Sequence, residues 1–285
     1  MEIRLRWCVR ALQYRCHQIL DASGSHLVSK PASDNDNYVS VYSRCSSIDG
    51  NEKSLVTVGY TTLHDPLPSE LVLIPGHERN REFGSSIRRR QYLCARALLR
   101  RMLQDWTGTA AASHELTLTE EGKPVCIGGP AVSITHAGDR VACSIAEPGD
   151  IGIDLEFIDE CRDPMKVANR FFSAEESTWL STQPSDRFFM VWALKEAYVK
   201  AIGRGIFGSA NRLRCKVVPP DIDVMTMKDR MRNFCLYSTG DGFLALAATE
   251  DSLADVSIKL WDPYSDQFAE SNEFRLLAMS TGLAK

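Results

Sequence analysis

The sequence predicts an α+β fold, because short strands with alternating apolar residues are mixed with amphipathic helices along both halves of the 285-residue chain. Hydrophobic residues make up 44% of the chain and charged residues 25%, which is typical of a protein with a real core. No apolar run approaches the roughly 20 residues that a membrane helix needs. The net charge of −4 argues against a dedicated nucleic-acid-binding protein.

The first predicted elements follow a polar segment. Residues 31–53 are rich in Ser, Asp and Asn, so we predict that residues 1–53 are a poorly ordered N-terminal extension and linker. An extended segment begins near Leu55. The spacing of apolar residues then predicts a helix over 86–103 and a short strand at 116–118.

The later elements are marked by turns and caps. Strands are predicted at 131–135, 141–145 and 151–156, and a helix opens near Asp163. Ser173 and Glu176 have the spacing of a capping box. The longest helical pattern runs over 186–202 and stops at two glycines, and two late strands are predicted at 234–237 and 243–248.

Nine cysteines are scattered along the chain without a C-x-x-C pair. An odd number without such pairs is typical of reduced thiols, so we predict a cytoplasmic protein. The paired ligand spacing of a zinc finger is missing, and the sequence therefore gives no reason to expect a zinc site.

Two carboxylates on a predicted strand are the first chemical signal. Asp154 and Glu156 are two residues apart, so they point to the same face of the strand, while Ile151, Ile153 and Leu155 point to the other. Adjacent carboxylates repel each other unless a cation or water separates them. The pair therefore indicates either a cation site or a strand with an acidic, solvent-exposed face.

A second signal lies on the longest predicted helix. Glu196 and Lys200 are four residues apart and share one helix face. They could form an ordinary surface ion pair, or Glu196 could be a third carboxylate for the same cation. Magnesium prefers such oxygen ligands.

Positively charged and polar groups form the third signal. Thr135 and His136 lie in a loop that ends at Gly138, and Lys123 lies in a Gly-Lys-Pro turn; hydroxyl, imidazole and backbone amide groups of this kind can hold phosphate oxygens. Residues 79–101 contain eight arginines. The alternatives are that His136 is an ordinary surface histidine and that the arginines form a solvated helix face.

The order of these segments resembles that of the Sfp-type 4′-phosphopantetheinyl transferases. Gly152–Glu156 matches the family's G-[IV]-D-x-E strand, and Trp192–Lys200 matches its W-x-x-K-E-[AS]-x-x-K helix. The Gly-Lys-Pro turn, the Thr-His-Ala-Gly loop and Arg170–Glu176 match three further segments. The resemblance covers about residues 55–250, and all five segments occur in the family's order.

The resemblance implies a fold of two similar α+β halves, a pseudo-dimer with the active site in the cleft between them. The N-terminal half would span residues 54–150. The C-terminal half would span residues 151–285 and carry the metal ligands.

The resemblance also implies roles for single residues. The magnesium ligands would be Asp154, Glu156 and Glu196. Coenzyme A would be held by Lys123, Thr135, His136, Asp154, Lys200, Arg79 and Arg96. The catalytic residues would be Glu196, Lys200 and Glu176. Glu176 is the candidate general base, with helix capping as its alternative role.

The activity that the resemblance implies is transfer of the phosphopantetheine arm of coenzyme A to a serine of an apo acyl or peptidyl carrier protein, with release of 3′,5′-ADP. We expect a Mg²⁺-dependent monomer without nucleic-acid or membrane partners. Another Mg²⁺-dependent phosphoryl-transfer enzyme, such as a nuclease, is the alternative, and a binding module that uses the arginine-rich helix is a further one. Which carrier protein is served stays open.

Overall fold

The computed structural model describes residues 56–159, 163–205, 209–226, 233–249, 253 and 255–280. The predicted extension at residues 1–53 lies outside the described residues. Residues 54–285 form one compact unit. Among the described helices, none combines the length and the apolar character that crossing a bilayer requires.

The unit contains thirteen described strands and six described α-helices. The strands are β1 (Val56–Thr62), β2 (Leu116–Leu118), β3 (Pro124–Cys126), β4 (Ala131–Ala137), β5 (Arg140–Ala146), β6 (Ile151–Phe157), β7 (Leu213–Val218), β8 (Asp221–Thr226), β9 (Asn233–Ser238), β10 (Gly242–Ala248), β11 (Val256–Asp262), β12 (Gln267–Glu270) and β13 (Arg275–Ser280). The helices are α1 (Pro68–Leu73), α2 (Gly76–Arg79), α3 (Ser86–Thr107), α4 (Pro164–Phe171), α5 (Ala174–Leu180) and α6 (Asp186–Ala201).

Two large sheets organise these elements. The first has the strand order β12-β11-β1-β5-β4, and the second has the order β6-β10-β9-β13-β8-β7. Strands β2 and β3 form a separate two-stranded sheet. The predicted α+β fold with two sheet-rich halves is thereby confirmed.

Alternating side chains place the sheets and helices in four layers. On β5, Val141, Cys143 and Ile145 face the core beneath α3, whereas Ala142 and Ala146 face a core between the two sheets. On β6, the odd-numbered residues of 151–155 belong to that central core. The other side of the second sheet is covered by α6, which shares its core with α4 and α5. The layers are therefore α3, first sheet, second sheet and α6.

The last third of the chain contributes to both sheets. Strand β6 begins at Ile151, the residue at which the second half is predicted to start. Strands β11 and β12 come later in the chain, yet β11 pairs in parallel with β1 of the first sheet. The first sheet is thus built from two segments that are far apart in the chain. The division into 54–150 and 151–285 stays a prediction.

Candidate active site

A close contact between strand β6 and helix α6 sets the geometry of the site. A Cβ atom at Gly152 would lie 1.9 Å from the carbonyl oxygen of Ala197 and 2.5 Å from the amide nitrogen of Ala201. Only glycine therefore allows the strand to lie this close to the helix backbone. Because residues alternate along a strand, Asp154 and Glu156 share the face of Gly152 and point to the side of the sheet that α6 covers.

Asp154 and Lys200 form an ion pair across this contact. Lys200 Nζ lies 2.7 Å from Asp154 Oδ1 and donates a second hydrogen bond of 3.0 Å to the carbonyl oxygen of Ile153. The Asp154 side chain is 8% exposed and the Lys200 side chain 29%. Asp154 and Lys200, both predicted to hold coenzyme A, are thus adjacent, on the strand and the helix that were predicted to carry them.

Strand β4 lies beside β6 and holds it through two hydroxyl groups. The amide nitrogen of Leu155 donates to Thr135 Oγ1 at 3.1 Å, and the amide nitrogen of Ile153 donates to Ser133 Oγ at 3.2 Å. Since β4 and β6 are edge strands of different sheets, these hydroxyls join the two sheets at the site. They also give partners to the outward-facing amides of β6.

The hydroxyl of Thr135 also contacts the predicted metal ligand. Thr135 Oγ1 donates to Asp154 Oδ1 at 3.2 Å, and Thr135 is only 3% exposed. A hydroxyl has one proton, and this one is already donated. The geometry therefore supports Thr135 as a residue that positions Asp154, and its predicted contact with coenzyme A stays a prediction.

His136 follows Thr135 on β4 and is exposed, as alternation along the strand requires. Its Nε2 atom lies 3.4 Å from Nη1 of Arg88, in the first turn of α3. Loss of hydration at the imidazole, together with the positive charges of Lys200 and Arg88, lowers the pKa of His136 to about 4. The ring is therefore neutral near pH 7.

Arg88 is the site residue that the sequence did not single out. It is one of eight arginines in residues 79–101, and their number could not show which of them reaches the site. The predicted arginines lie elsewhere. Arg79 is exposed at the end of α2. Arg96 is 5% exposed, with its Nε atom 3.8 Å from Glu78 and its guanidinium 5.3 Å from the ring centroid of Tyr92. Their contacts with coenzyme A stay predictions.

Lys123 lies at the C-terminal end of α6. Its Nζ atom donates 2.6 Å hydrogen bonds to Asp150 Oδ1 and to the carbonyl oxygen of Ala201. The backbone of Gly203, with φ +68°, ends the helix beside the Lys123 stem. A cavity of ≈170 Å³ lies here between the Gly122–Pro124 turn, Ser133 and the end of α6, and Lys123, Lys200 and Arg204 line it together with one acid, Glu121. The excess of positive charge favours an anionic ligand.

The three predicted metal ligands are oxygen donors on two adjacent elements. Asp154 and Glu156 lie on β6, and Glu196 lies on α6 one turn before Lys200. Both glutamates are half-buried. In the part of the chain that the structure describes, these carboxylates do not form a group of ligand atoms within 4.8 Å of one another. A set of carboxylates alone matches the preference of Mg²⁺, and the assignment of the three ligands stays a prediction.

Glu176 is buried and fully engaged. One carboxylate oxygen accepts hydrogen bonds of 2.9 Å from the amide nitrogen and the hydroxyl of Ser173, which confirms the predicted capping box. The other accepts from the amide nitrogen of Cys215 at 3.0 Å and lies 2.8 Å from Lys195 Nζ. With Glu176 2% and Lys195 0% exposed, this arrangement supports a structural role for Glu176, and its role as general base stays a prediction that this burial does not favour.

Comparison with known proteins finds similarity to the family that the sequence motifs resemble. A sequence model described as the 4′-phosphopantetheinyl transferase superfamily matches residues 150–245. The 4′-phosphopantetheinyl transferase HetI of Nostoc sp. is 31% identical over 127 residues, which are 41% of this chain and 54% of that protein. The 4′-phosphopantetheinyl transferase psf-1 of Bacillus pumilus is 32% identical over 123 residues, 41% and 52% of the two chains.

A third relative, the 4′-phosphopantetheinyl transferase gsp of Aneurinibacillus migulanus, is 36% identical over 92 residues, 31% of this chain and 38% of that protein. The chain thus spans about half the length of the curated relatives that it matches. The matched residues 150–245 include β6 and α6 and therefore Asp154, Glu196 and Lys200. Over this segment the chain is similar to the 4′-phosphopantetheinyl transferase superfamily.

Proposed function

We propose that this chain transfers the 4′-phosphopantetheine arm of coenzyme A to a serine of an apo acyl or peptidyl carrier protein and releases 3′,5′-ADP. The observation that carries the proposal is the Asp154–Lys200 pair, which lies within the segment that matches the superfamily. The pair is held at 2.7 Å beside a cavity that Lys123, Lys200 and Arg204 line. The names of the relatives, all transferases of this type, support the same reaction.

Fixed positive charge is what the chain offers to a diphosphate. Lys123 and Lys200 line the cavity, and each has its ammonium group held by a carboxylate and a backbone carbonyl. Both are therefore oriented before any ligand binds, which lowers the entropy cost of binding and of reaching the transition state. Arg88 and neutral His136 extend the polar surface along β4, and a phosphate group of coenzyme A fits the charge of this edge.

Asp154, Glu156 and Glu196 would hold a magnesium ion, since their oxygen atoms are the donors that this ion prefers. When bound, Mg²⁺ neutralises charge on the diphosphate of coenzyme A and on the leaving 3′,5′-ADP. Thr135 and Lys200 keep Asp154 on the face of β6 that α6 covers, and so set the position of the first ligand.

The remaining task is to remove a proton from the carrier serine. The serine oxygen forms a bond to the β-phosphorus of coenzyme A, the bond from this phosphorus to the oxygen of 3′,5′-ADP breaks, and the serine proton goes to a carboxylate. Glu196 is half-buried at the site, whereas both oxygens of Glu176 are bonded inside the fold. We therefore assign the base to Glu196, directly or through one water.

No observation favours the nuclease alternative or the nucleic-acid-binding alternative. The arginine-rich helix α3 has Arg96 and Arg100 buried, and Arg100 Nη2 donates to Glu78 Oε1 at 2.6 Å, so part of its charge does not face solvent. A monomeric state, cytoplasmic localisation and the absence of nucleic-acid partners stay predictions of the proposal.

The test is incubation of the purified chain with coenzyme A, MgCl₂ and a panel of apo carrier proteins, followed by intact-protein mass spectrometry. One carrier is expected to gain the mass of one phosphopantetheine arm. Asp154→Ala, Glu196→Ala and Lys200→Ala are each expected to lower the rate by about 10²-fold or more, because each removes charge that acts in the transition state. Lys216→Ala is the matched control, since Lys216 forms a surface pair of 3.1 Å with Glu175. A wild-type rate for Asp154→Ala, or no transfer to any carrier, would refute the proposal.

A further inference from the structure

A second cluster of ligating side chains lies on the other half of the unit, at the contact between α1, α3 and the segment after β1. His64, Glu70 and Cys94 bring an imidazole nitrogen, a carboxylate oxygen and a sulfur within 4.8 Å of one another. Within the described residues, this is the one group of three such ligand atoms. None of the three residues takes part in the proposed transfer reaction.

The hydrogen bonds of His64 orient its ring toward the other two groups. Nδ1 lies 2.8 Å from the carbonyl oxygen of Thr62, and Nε2 lies 2.8 Å from Glu70 Oε1. A carbonyl and a carboxylate accept only, so each contact requires a proton on the imidazole and the ring is an imidazolium. A metal-binding histidine has the same arrangement, with Nδ1–H donated to a carbonyl and Nε2 pointing to the ion.

The surroundings separate the cluster from bulk water on most sides. Cys94 is 0% and Glu70 2% exposed, whereas the His64 side chain is 13% exposed and gives one path to solvent. Glu70 is further held by the amide nitrogen of Leu67, at 2.6 Å from Oε2. Cys94 Sγ donates to the carbonyl oxygen of His64 at 3.5 Å. All three groups are thus fixed before any ion arrives.

We propose that His64 Nε2, Glu70 Oε1 and Cys94 Sγ bind one divalent transition-metal ion of the zinc class. Mixed nitrogen, oxygen and thiolate donors suit such an ion and do not suit Mg²⁺, which separates this site from the carboxylates of β6 and α6. Three protein ligands leave the fourth tetrahedral position for a water that enters beside His64. The ion replaces two protons, that of the Cys94 thiol and that between Nε2 and Oε1, and both are released to solvent.

The rearrangement that binding requires is small. Bonds of about 2.0–2.3 Å place tetrahedral ligand atoms about 3.3–3.7 Å apart. His64 Nε2 and Glu70 Oε1 must separate from 2.8 Å by about half an ångström, and Cys94 Sγ must turn from the His64 carbonyl toward them. Ligands at positions 64, 70 and 94 have no zinc-finger spacing, so only the fold brings them together.

Cobalt(II) is the probe, because its absorption reports both geometry and thiolate ligation. The full chain, freed of metals with a chelator and kept reduced, is titrated with CoCl₂. We expect saturation at one equivalent, visible bands of tetrahedral strength and a near-ultraviolet thiolate-to-cobalt band. One equivalent of ZnCl₂ is expected to remove the cobalt bands and to raise the thermal unfolding midpoint, since the ion binds only the folded state.

Variants assign the band to the cluster. Cys94→Ser is expected to lose the thiolate band, and His64→Gln to weaken cobalt binding at least tenfold. Cys143→Ser is the matched control, because Cys143 is also buried and its Sγ donates to a backbone carbonyl at 3.5 Å; it is expected to keep the full spectrum. Circular dichroism checks the fold of each variant. If Cys94→Ser does not fold, the cobalt affinities of His64→Gln and Glu70→Gln decide whether the cluster binds the ion.

Two outcomes would overturn the proposal. The first is a wild-type chain without a thiolate-to-cobalt band, which would show that the cluster is only a hydrogen-bonded contact. The second is a thiolate-to-cobalt band that is unchanged in Cys94→Ser, which would place the thiolate ligand at another cysteine of the chain, or a cobalt affinity that is unchanged in His64→Gln, which would exclude the imidazole as a ligand.

Discussion

The hydroxyl of Thr135 has two partners at the site and no proton left for a third. It accepts from the amide of Leu155 and donates to Asp154, at 3.1 and 3.2 Å. Thr135→Val keeps the shape but removes both bonds and leaves the Leu155 amide buried without a partner. We expect a loss of about 1–3 kcal/mol in unfolding free energy, measured by urea denaturation.

The same substitution separates a positioning role from a purely structural one. If Thr135 holds Asp154 for a cation, Thr135→Val raises the Mg²⁺ concentration needed for half-maximal transfer, and Thr135→Ser restores it because the hydroxyl returns. Equal magnesium dependence of the Val and Ser variants, in the presence of saturating coenzyme A, would show that the hydroxyl does not act through Asp154.

His136 makes stability depend on pH in a defined direction. Loss of hydration, then the charges of Lys200 and Arg88, lowers its pKa in the folded chain to about 4, below the ordinary value of 6.5. The unfolded chain therefore binds more protons between these values, and stability is lost as the pH falls from about 6.5 toward 4. We expect His136→Gln, whose side chain stays neutral, to remove part of this loss.

Denaturation in urea from pH 4 to pH 7 measures the effect. Because His136 is exposed to solvent, the difference between wild type and variant is expected to be smaller than the pKa shift alone implies. Parallel stability curves for the two proteins over this range would contradict the assignment.

At the scale of elements, the contact between β6 and α6 depends on one missing side chain. A Cβ at Gly152 would overlap the carbonyl oxygen of Ala197, 1.9 Å away, and a backbone atom cannot move as a flexible side chain does. Gly152→Ala must therefore push the strand off the helix and separate Asp154 from Lys200. We expect a loss of at least about 1–3 kcal/mol of stability and most of the transfer rate.

Gly84→Ala is the matched control for this prediction, since a Cβ there meets no atom within 4 Å. Urea denaturation and the carrier assay are run on both variants. If Gly152→Ala unfolds at the wild-type urea concentration with a normal rate, the close approach of β6 and α6 does not determine the site.

The sequence also predicted these two elements closely. The strand predicted at 151–156 spans Ile151–Phe157, and the helix predicted at 186–202 spans Asp186–Ala201. Period-two and helical spacing are local properties, so they can be read without knowing the fold. The role of Arg88 could not be predicted in this way, because its neighbour His136 is 48 residues away in the chain and seven other arginines lie in the same region.

The burial of charged side chains could not be predicted from sequence patterns either. Lys195 and Glu176 form a completely enclosed pair at 2.8 Å, although lysine and glutamate are rarely buried in proteins. Sequence reasoning left Glu176 two possible roles, a base or a cap, and only the positions of Ser173, Lys195 and Cys215 around it favour the cap. Burial depends on contacts between distant segments, which no local pattern encodes.

At the scale of the whole unit, the end of the chain connects both sheets. Strand β11 lies between β1 and β12 in the first sheet, and β13 lies between β9 and β8 in the second. The sequence patterns did not predict β11 to β13, because a strand is stabilised by long-range pairing with its partner strands and not by local spacing alone. The core between the sheets also contains residues from both, including Val58 of β1 and Leu246 of β10. The two sheets should therefore unfold together.

Trp261 on β11 tests this cooperativity. It is 1% exposed and belongs to the core beneath α3. Trp261→Ala leaves a large cavity there, and we expect it to lower the unfolding free energy by about 3–5 kcal/mol. Because the sheets share a core, the loss should lower the urea midpoint of the whole unit in one transition with an unchanged slope. The transition is followed by far-ultraviolet circular dichroism and by fluorescence of the remaining tryptophans.

Tyr264→Ala, at a side chain 76% exposed just after β11, is the control and should leave the midpoint unchanged. A first sheet that melts separately, while the second keeps its signal to the wild-type midpoint, would show that the C-terminal strands do not couple the two halves.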